Sequence, residues 1–154
     1  MPLITPDDYL KRRDIIYYED WNKKLEKTMM TTLEKINNFL KEIHINDVQV
    51  TSGWRPQQLN DSIKNAAVKS KHITCEAVDL LDMKPFLLMH AILENLIAAE
   101  IHGVYFEDFR YTPTWVHIQV TPPKSGQRIF IPSSNEPLAP QKFKGFEFYD
   151  RQFI

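Results

Sequence analysis

The chain has a single cysteine, Cys75, so it can form neither an intrachain disulfide nor a Cys-rich zinc site. It has no apolar run of about 18 residues, which excludes a membrane-spanning helix. Net charge is almost absent: a formal −1 at pH 7 gives no electrostatic reason to expect a nucleic-acid or anionic-membrane partner. The opening residues, Met1-Pro2-Leu3-Ile4-Thr5-Pro6-Asp7-Asp8, lack the basic and apolar regions of a signal peptide. The expectation is therefore synthesis in the cytoplasm, with some other agent delivering the protein if it acts outside. No internal repeat or low-complexity segment is visible. What is there is ordinary for a globular protein. With 154 residues, 43% of them hydrophobic and 25% charged, the expectation is one domain spanning 1–154 with a proper core.

Periodicity gives the organisation. Trp21, Leu25, Met29, Leu33, Ile36, Leu40 and Ile43 recur at helical steps, predicting an amphipathic helix over Asp20 to Glu42. Val48 to Ser52 alternates and meets Gly53, as a short strand does. A short helix fits between Pro56 and Ala67, with the proline near its first turn. Ala77 to Leu81 is an apolar strand interrupted by one acid, Asp79. Lys84 to Glu100 reads as a second long helix, with Asp82 as a cap before it and Gly103 beyond its end. Val104–Glu107, Trp115–Thr121 and Arg128–Ile131 read as strands, and the connection 122–127 has a hairpin's turn chemistry. From Ser133 the chain reads as a tail laid over the domain, anchored by Phe143, Phe146, Phe148 and Tyr149. The fold class is α+β, a single antiparallel sheet with helices packed on it.

Chemistry concentrates in two places. A lone histidine is more often a hydrogen-bonded structural residue than a ligand, and His44, His90 and His102 have nothing around them to change that. His72 and Asp79 differ. His72 ends a polar loop, and Asp79 lies in an apolar strand, where a carboxylate needs a metal, a basic partner or exposure. His117 sits in a similar strand, Trp115-Val116-His117-Ile118-Gln119-Val120, and alternation puts Trp115, His117 and Gln119 on one face. Two imidazoles and a carboxylate suit Zn2+ and leave a fourth position open, which is what a hydrolytic site requires.

Thr51-Ser52-Gly53-Trp54-Arg55-Pro56, then Asn60, then Ser70-x-His72 with Ala77-x-Asp79, then Trp115-Val116-His117 together resemble the zinc D-Ala-D-Ala peptidases. That family groups with lysostaphin-type and hedgehog-type domains and includes phage endolysins and murein peptidases. The resemblance covers about residues 20 to 132 and implies a hedgehog/DD-peptidase-like fold in which His72, Asp79 and His117 hold zinc. The segment Glu107 to Trp115 is similar to the one before the last ligand in phage-type members. It also implies that Arg55, whose planar fork matches a carboxylate, grips the substrate. Ser70 is expected to contact substrate or orient His72, and Trp54 and Trp115 to wall the cleft or pack in the core.

Two positions depart from the family pattern. Cys75 replaces a glycine and carries strain if the backbone there needs a positive φ; read alone, it is a small buried residue. Thr114 stands where many relatives have an acid three residues before the final histidine. Glu107 and Asp108 are the nearest acids upstream, and Glu107 is the expected general acid/base, with Asp108 its rival. Read alone, either is a solvated acid at a strand end.

The function expected is hydrolysis of peptidoglycan stem or cross-link peptides, next to a D-amino acid. The site of action is the cell wall, reached after release or as part of a virion. Two other readings stand beside it. One is a non-catalytic, metal-bearing binding module of hedgehog type, supported by Thr114. The other is a 2-His-1-carboxylate Fe(II) enzyme. In that class the acid follows the first histidine closely, whereas Asp79 lies seven residues after His72, and the long helices fit its barrel poorly.

Overall fold

The computed structural model describes residues 2–64 and 66–132; the expected tail anchors lie outside them. Among the described residues, six α-helices surround a five-stranded sheet. The helices are α1 (Pro6–Leu10), α2 (Arg13–Ile16), α3 (Lys23–Glu42), α4 (Gln57–Asp61), α5 (Leu87–Glu94) and α6 (Leu96–His102). The strands are β1 (Val50–Ser52), β2 (Ala77–Leu81), β3 (Tyr105–Glu107), β4 (Trp115–Gln119) and β5 (Ile129–Phe130), in the spatial order β1-β2-β4-β3-β5. The α+β class holds.

The helix read from Asp20 begins at Lys23, because the Asn22 side chain caps it by accepting from Leu25 N–H at 2.9 Å. Its apolar face buries Met29, Leu33, Ile36, Phe39 and Leu40. These meet the inner face of the sheet, where Val78, Leu80, Phe106, Val116 and Ile118 alternate out of β2, β3 and β4. Full burial of such side chains stabilises by about 1.5–3 kcal/mol each. The opposite face of the same strands carries Asp79, Glu107 and His117. One period-2 pattern therefore separates core from chemistry.

The second long helix is two. Asn95 leaves helical geometry (φ −128°, ψ 38°), and its amide Nδ2 donates to Ala91 O at 2.8 Å, satisfying a carbonyl freed by the break. The first half starts at Leu87, because Phe86 sits at φ 57°. Asp82 does cap it: its two carboxylate oxygens accept from Leu88 and Met89 N–H, each at 3.1 Å.

The sheet is mixed rather than purely antiparallel. After β4 the chain reverses through 122–127, where Gly126 N–H bonds Pro123 O at 2.9 Å, but no hairpin forms. Both edges of β4 are already taken by β2 and β3, so β5 passes on to the free edge of β3 and runs parallel to it. Phe106 and Asp108 N–H donate to Arg128 and Phe130 carbonyls at 2.8 Å.

Two short helices, α1 and α2, precede the long α3. Thr5 and Asp8 form a capping box with Pro6 at the helix start, a signal present in Thr5-Pro6-Asp7-Asp8. The helix they begin carries Tyr9 into the core, where its hydroxyl donates to Ala77 O at 2.8 Å.

Candidate metal centre

Pairing register builds the site. On β1, β2 and β4, Ser52 lies opposite Asp79, and Asp79 opposite His117. Phe106 pairs with Ile118 between β3 and β4, and that ladder carried one position further sets Glu107 against His117. Glu107 in turn registers with Phe130. Ser52, Asp79, His117, Glu107 and Phe130 thus form one row across the sheet, on the face away from the α3 core.

His72 reaches this row from the loop before β2. The loop is fastened to the turn after β1 by three bonds. Arg55 N–H donates to His72 O at 3.1 Å, Trp54 Nε1–H donates to Ile73 O at 3.1 Å, and His72 Nδ1 lies 2.8 Å from Gly53 O. Gly53 must be glycine here: a Cβ would fall 2.0 Å from the Tyr9 carbonyl oxygen. Arg13 Nη1 adds a bond to Trp54 O at 2.6 Å. The N-terminal helices therefore brace the turn to which the His72 loop is fastened. At the loop's far end Cys75 is buried at φ 61°, the left-handed conformation expected of a glycine position, and its carbonyl accepts from Thr32 Oγ1 at 2.7 Å.

One ligand atom from each of His72, Asp79 and His117 lies within 4.8 Å of the others. Asp79 Oδ1 stands 2.9 Å from His117 Nδ1 and 3.2 Å from His72 Nε2. Gly53 O can only accept, so His72 Nδ1 carries the hydrogen and Nε2 presents a lone pair. That buried Nε2 makes no hydrogen bond; its approach to Asp79 is a near contact of two acceptors. Burial lowers the His72 pKa against the pull of Asp79 and keeps the ring neutral. A lone pair facing a carboxylate oxygen calls for a cation between them, and the N/N/O donor set suits zinc. The residues fit the metal.

Burial alone would raise Asp79 and lower His117. The hydrogen bond and charge of His117 instead hold Asp79 well below the carboxylate range. The Asp79 hydrogen bond and charge, with Glu107, push His117 up to about 9. Without metal these two form the charged pair.

The other expected residues divide clearly. Arg55 is half-buried; its Nη2 donates to Ser70 Oγ at 3.3 Å, while its Nε–H is buried without a partner. Burial lowers its pKa against the charges of Asp79 and Glu107, which it feels along with Arg13. Ser70 Oγ also accepts from His72 N–H at 3.2 Å, so it ties Arg55 to the first histidine. Glu107 is partly buried; burial raises its pKa, and Asp79 and Asp108 add to the rise against His117 and Arg55. Asp108 turns elsewhere. It clamps Arg110 through Nε at 3.0 Å and Nη2 at 2.7 Å and accepts from Arg110 N–H at 3.0 Å, all buried. Trp54 is buried in the core with its ring tilted 59° against Trp21, centroids 4.9 Å apart, while Trp115 is half-buried on the His117 face. Thr114 is exposed. Among the described residues, His44, His90 and His102 join no metal-binding cluster; His102 contacts Glu42 instead.

Gln119, on the His117 face, has its Oε1 3.0 Å from His117 Nε2. Comparison with curated proteins and with solved structures gives no match for this chain. The model of the Peptidase M15 family matches residues 9–119, from Tyr9 to Gln119 and through every member of the metal cluster. The chain belongs to the Peptidase M15 family, a zinc D-Ala-D-Ala peptidase family.

Proposed function

We propose that this protein is a zinc peptidase that hydrolyses peptide bonds in peptidoglycan stem or cross-link peptides, next to a D-amino acid. It would act at the cell wall, after release from the cell or as part of a virion. The observation that carries the reading is the row Asp79–His117–Glu107 with His72 closing on it.

His72 through Nε2, Asp79 through a carboxylate oxygen and His117 through Nδ1 would hold the metal. When bound there, zinc would supply Lewis acidity, which brings the pKa of a water down to about 7. Glu107 accepts the proton of the attacking water and returns it to the leaving amine nitrogen. Its raised pKa suits both halves of that task. Arg55, with an unpaired buried Nε–H, grips a substrate carboxylate, and Ser70 fixes the guanidinium.

The hedgehog-type binding reading drew on Thr114. The position of Glu107 across from His117 supports catalysis without an acid at 114. The test is digestion of purified peptidoglycan by the zinc-loaded protein, with fragments identified by mass spectrometry. New amine and carboxyl termini at one peptide bond, abolished by a chelator and restored by zinc, are expected. Tight binding to the wall without any fragment would favour the binding module.

A further inference from the structure

We infer that Gln119 decides which nitrogen of His117 faces the metal position, and so serves as a positioning residue for the zinc site. This rests on the zinc reading above. The carbonyl of Thr121 only accepts hydrogen bonds, so the Gln119 amide presents its Nε2 donor there, at 2.7 Å. Its Oε1 is thereby turned to His117 Nε2 at 3.0 Å. An amide oxygen also only accepts, so Nε2 carries a hydrogen. Nδ1, beside Asp79 Oδ1, is left as the nitrogen that can ligate.

The two histidines are thus set in opposite senses. His72 is held by the Gly53 carbonyl at Nδ1 and ligates through Nε2; His117 is held at Nε2 and ligates through Nδ1. The first lock is backbone, and the second is a side chain that evolution or mutation can remove. Without the Gln119 acceptor, Asp79 alone would bias neutral His117. It would favour the tautomer with its hydrogen on Nδ1, which offers the metal a proton instead of a lone pair.

Gln119 is buried, which limits replacement of its oxygen by water. Its own anchor is fixed as well. Thr121 Oγ1 donates to Glu76 Oε1 at 2.7 Å, and Val120 N–H donates to Glu76 O at 3.0 Å, tying the end of β4 to the start of β2. Loss of such an outer partner of a metal-bound histidine costs about 10- to 100-fold in metal affinity.

The experiment measures zinc affinity by chelator competition for the wild type, Gln119→Met and Gln119→Glu, with metal-free melting temperatures alongside. The Met variant, similar in length but without an acceptor, should bind about 10- to 100-fold more weakly. The Glu variant keeps an acceptor toward His117 and should recover most of that loss. A Met variant that folds and binds zinc as tightly as the wild type would overturn the inference. A second measurement needs no variant: nitrogen NMR of the zinc-loaded wild type should show His117 protonated at Nε2 and metal-bound at Nδ1. The reverse assignment overturns the inference outright. A wild type that binds no zinc fails differently, because it removes the metal reading itself.

Discussion

Glu107 sits directly across the β3–β4 ladder from His117, one step beyond the Phe106–Ile118 pair. On the proposed reading, this carboxylate on the neighbouring strand takes the place of one three residues before the histidine on its own strand. Asp108 cannot share the work without releasing Arg110, which it holds through two side-chain bonds in a buried pair. Glu107→Gln should therefore lose about 100- to 10,000-fold in kcat while still binding zinc. Asp108→Asn should instead be unstable, by about 3–5 kcal/mol, because it removes the carboxylate charge from a buried ion pair with Arg110. Steady-state kinetics normalised to bound zinc, with denaturant melts, separate the two. Should Asp108→Asn be the stable but inactive variant, the roles are exchanged.

The metal itself should depend on all three ligands. His117→Ala removes one donor and leaves His72 Nε2 and Asp79 facing each other with one fewer partner. Metal analysis of the wild type should give one zinc per chain. The variant should lose it under the same dialysis, and stoichiometric zinc at unchanged affinity would break the ligand assignment.

Arg55→Lys tests the carboxylate grip. Lysine keeps the charge but not the planar fork, and it lacks the Nε–H that Arg55 leaves buried without a partner. Activity should fall about tenfold or more, with zinc content unchanged. Wild-type kinetics in this variant would reduce Arg55 to a structural cation bonded to Ser70.

Much of this was legible in the chain because period-2 and period-3.6 patterns report burial directly. β2 was read at its observed bounds, Ala77–Leu81, because four apolar residues surround one acid. What was not legible depended on who already occupied an edge or a carbonyl. The reversal after β4 is local chemistry, but its docking on β3 follows from β2 holding the other edge. The break at Asn95 is hidden because Leu93 and Ile97 keep apolar spacing through it. The different surroundings of Glu107 and Asp108, one in register with His117 and the other bonded to Arg110, are not revealed by two adjacent acids in the chain. The Gln119 contact needed the Thr121 carbonyl to give it direction.

Cys75 shows the reverse case, in which a departure from a family pattern predicted strain and the backbone carries it. At φ 61° a β-branched residue fits badly, whereas glycine loses only a small buried side chain. Cys75→Gly should change stability by no more than about 1 kcal/mol, since relieved strain and lost burial oppose each other. Cys75→Val should destabilise by more than that. Burial also pushes the thiol up to about 12, so a thiol reagent at pH 8 should label the protein only after denaturation. Rapid labelling of the native chain would contradict the buried placement.

The Asp79–His117 pair gives the metal-free protein a defined pH response. His117 is raised in the folded state to about 9, from about 6.5 in the unfolded chain. The folded state therefore binds its proton more tightly, and this stabilisation is complete below about pH 6.5 and lost as pH rises through about 9. Asp79 is held low, so its contribution is present above its unfolded value of about 4 and is lost as pH falls toward the folded value. Between these limits the pair is fully charged. Chelator-treated protein should hold a plateau of unfolding free energy from about pH 5 to 6.5 and decline toward pH 9.5, by on the order of 3 kcal/mol at most. His117→Gln, which cannot titrate, should lack the alkaline decline even though its plateau is lower. If wild type and variant fall in parallel from pH 6.5 to 9.5, the loss belongs to other groups, and His117 is not the proton that Asp79 holds.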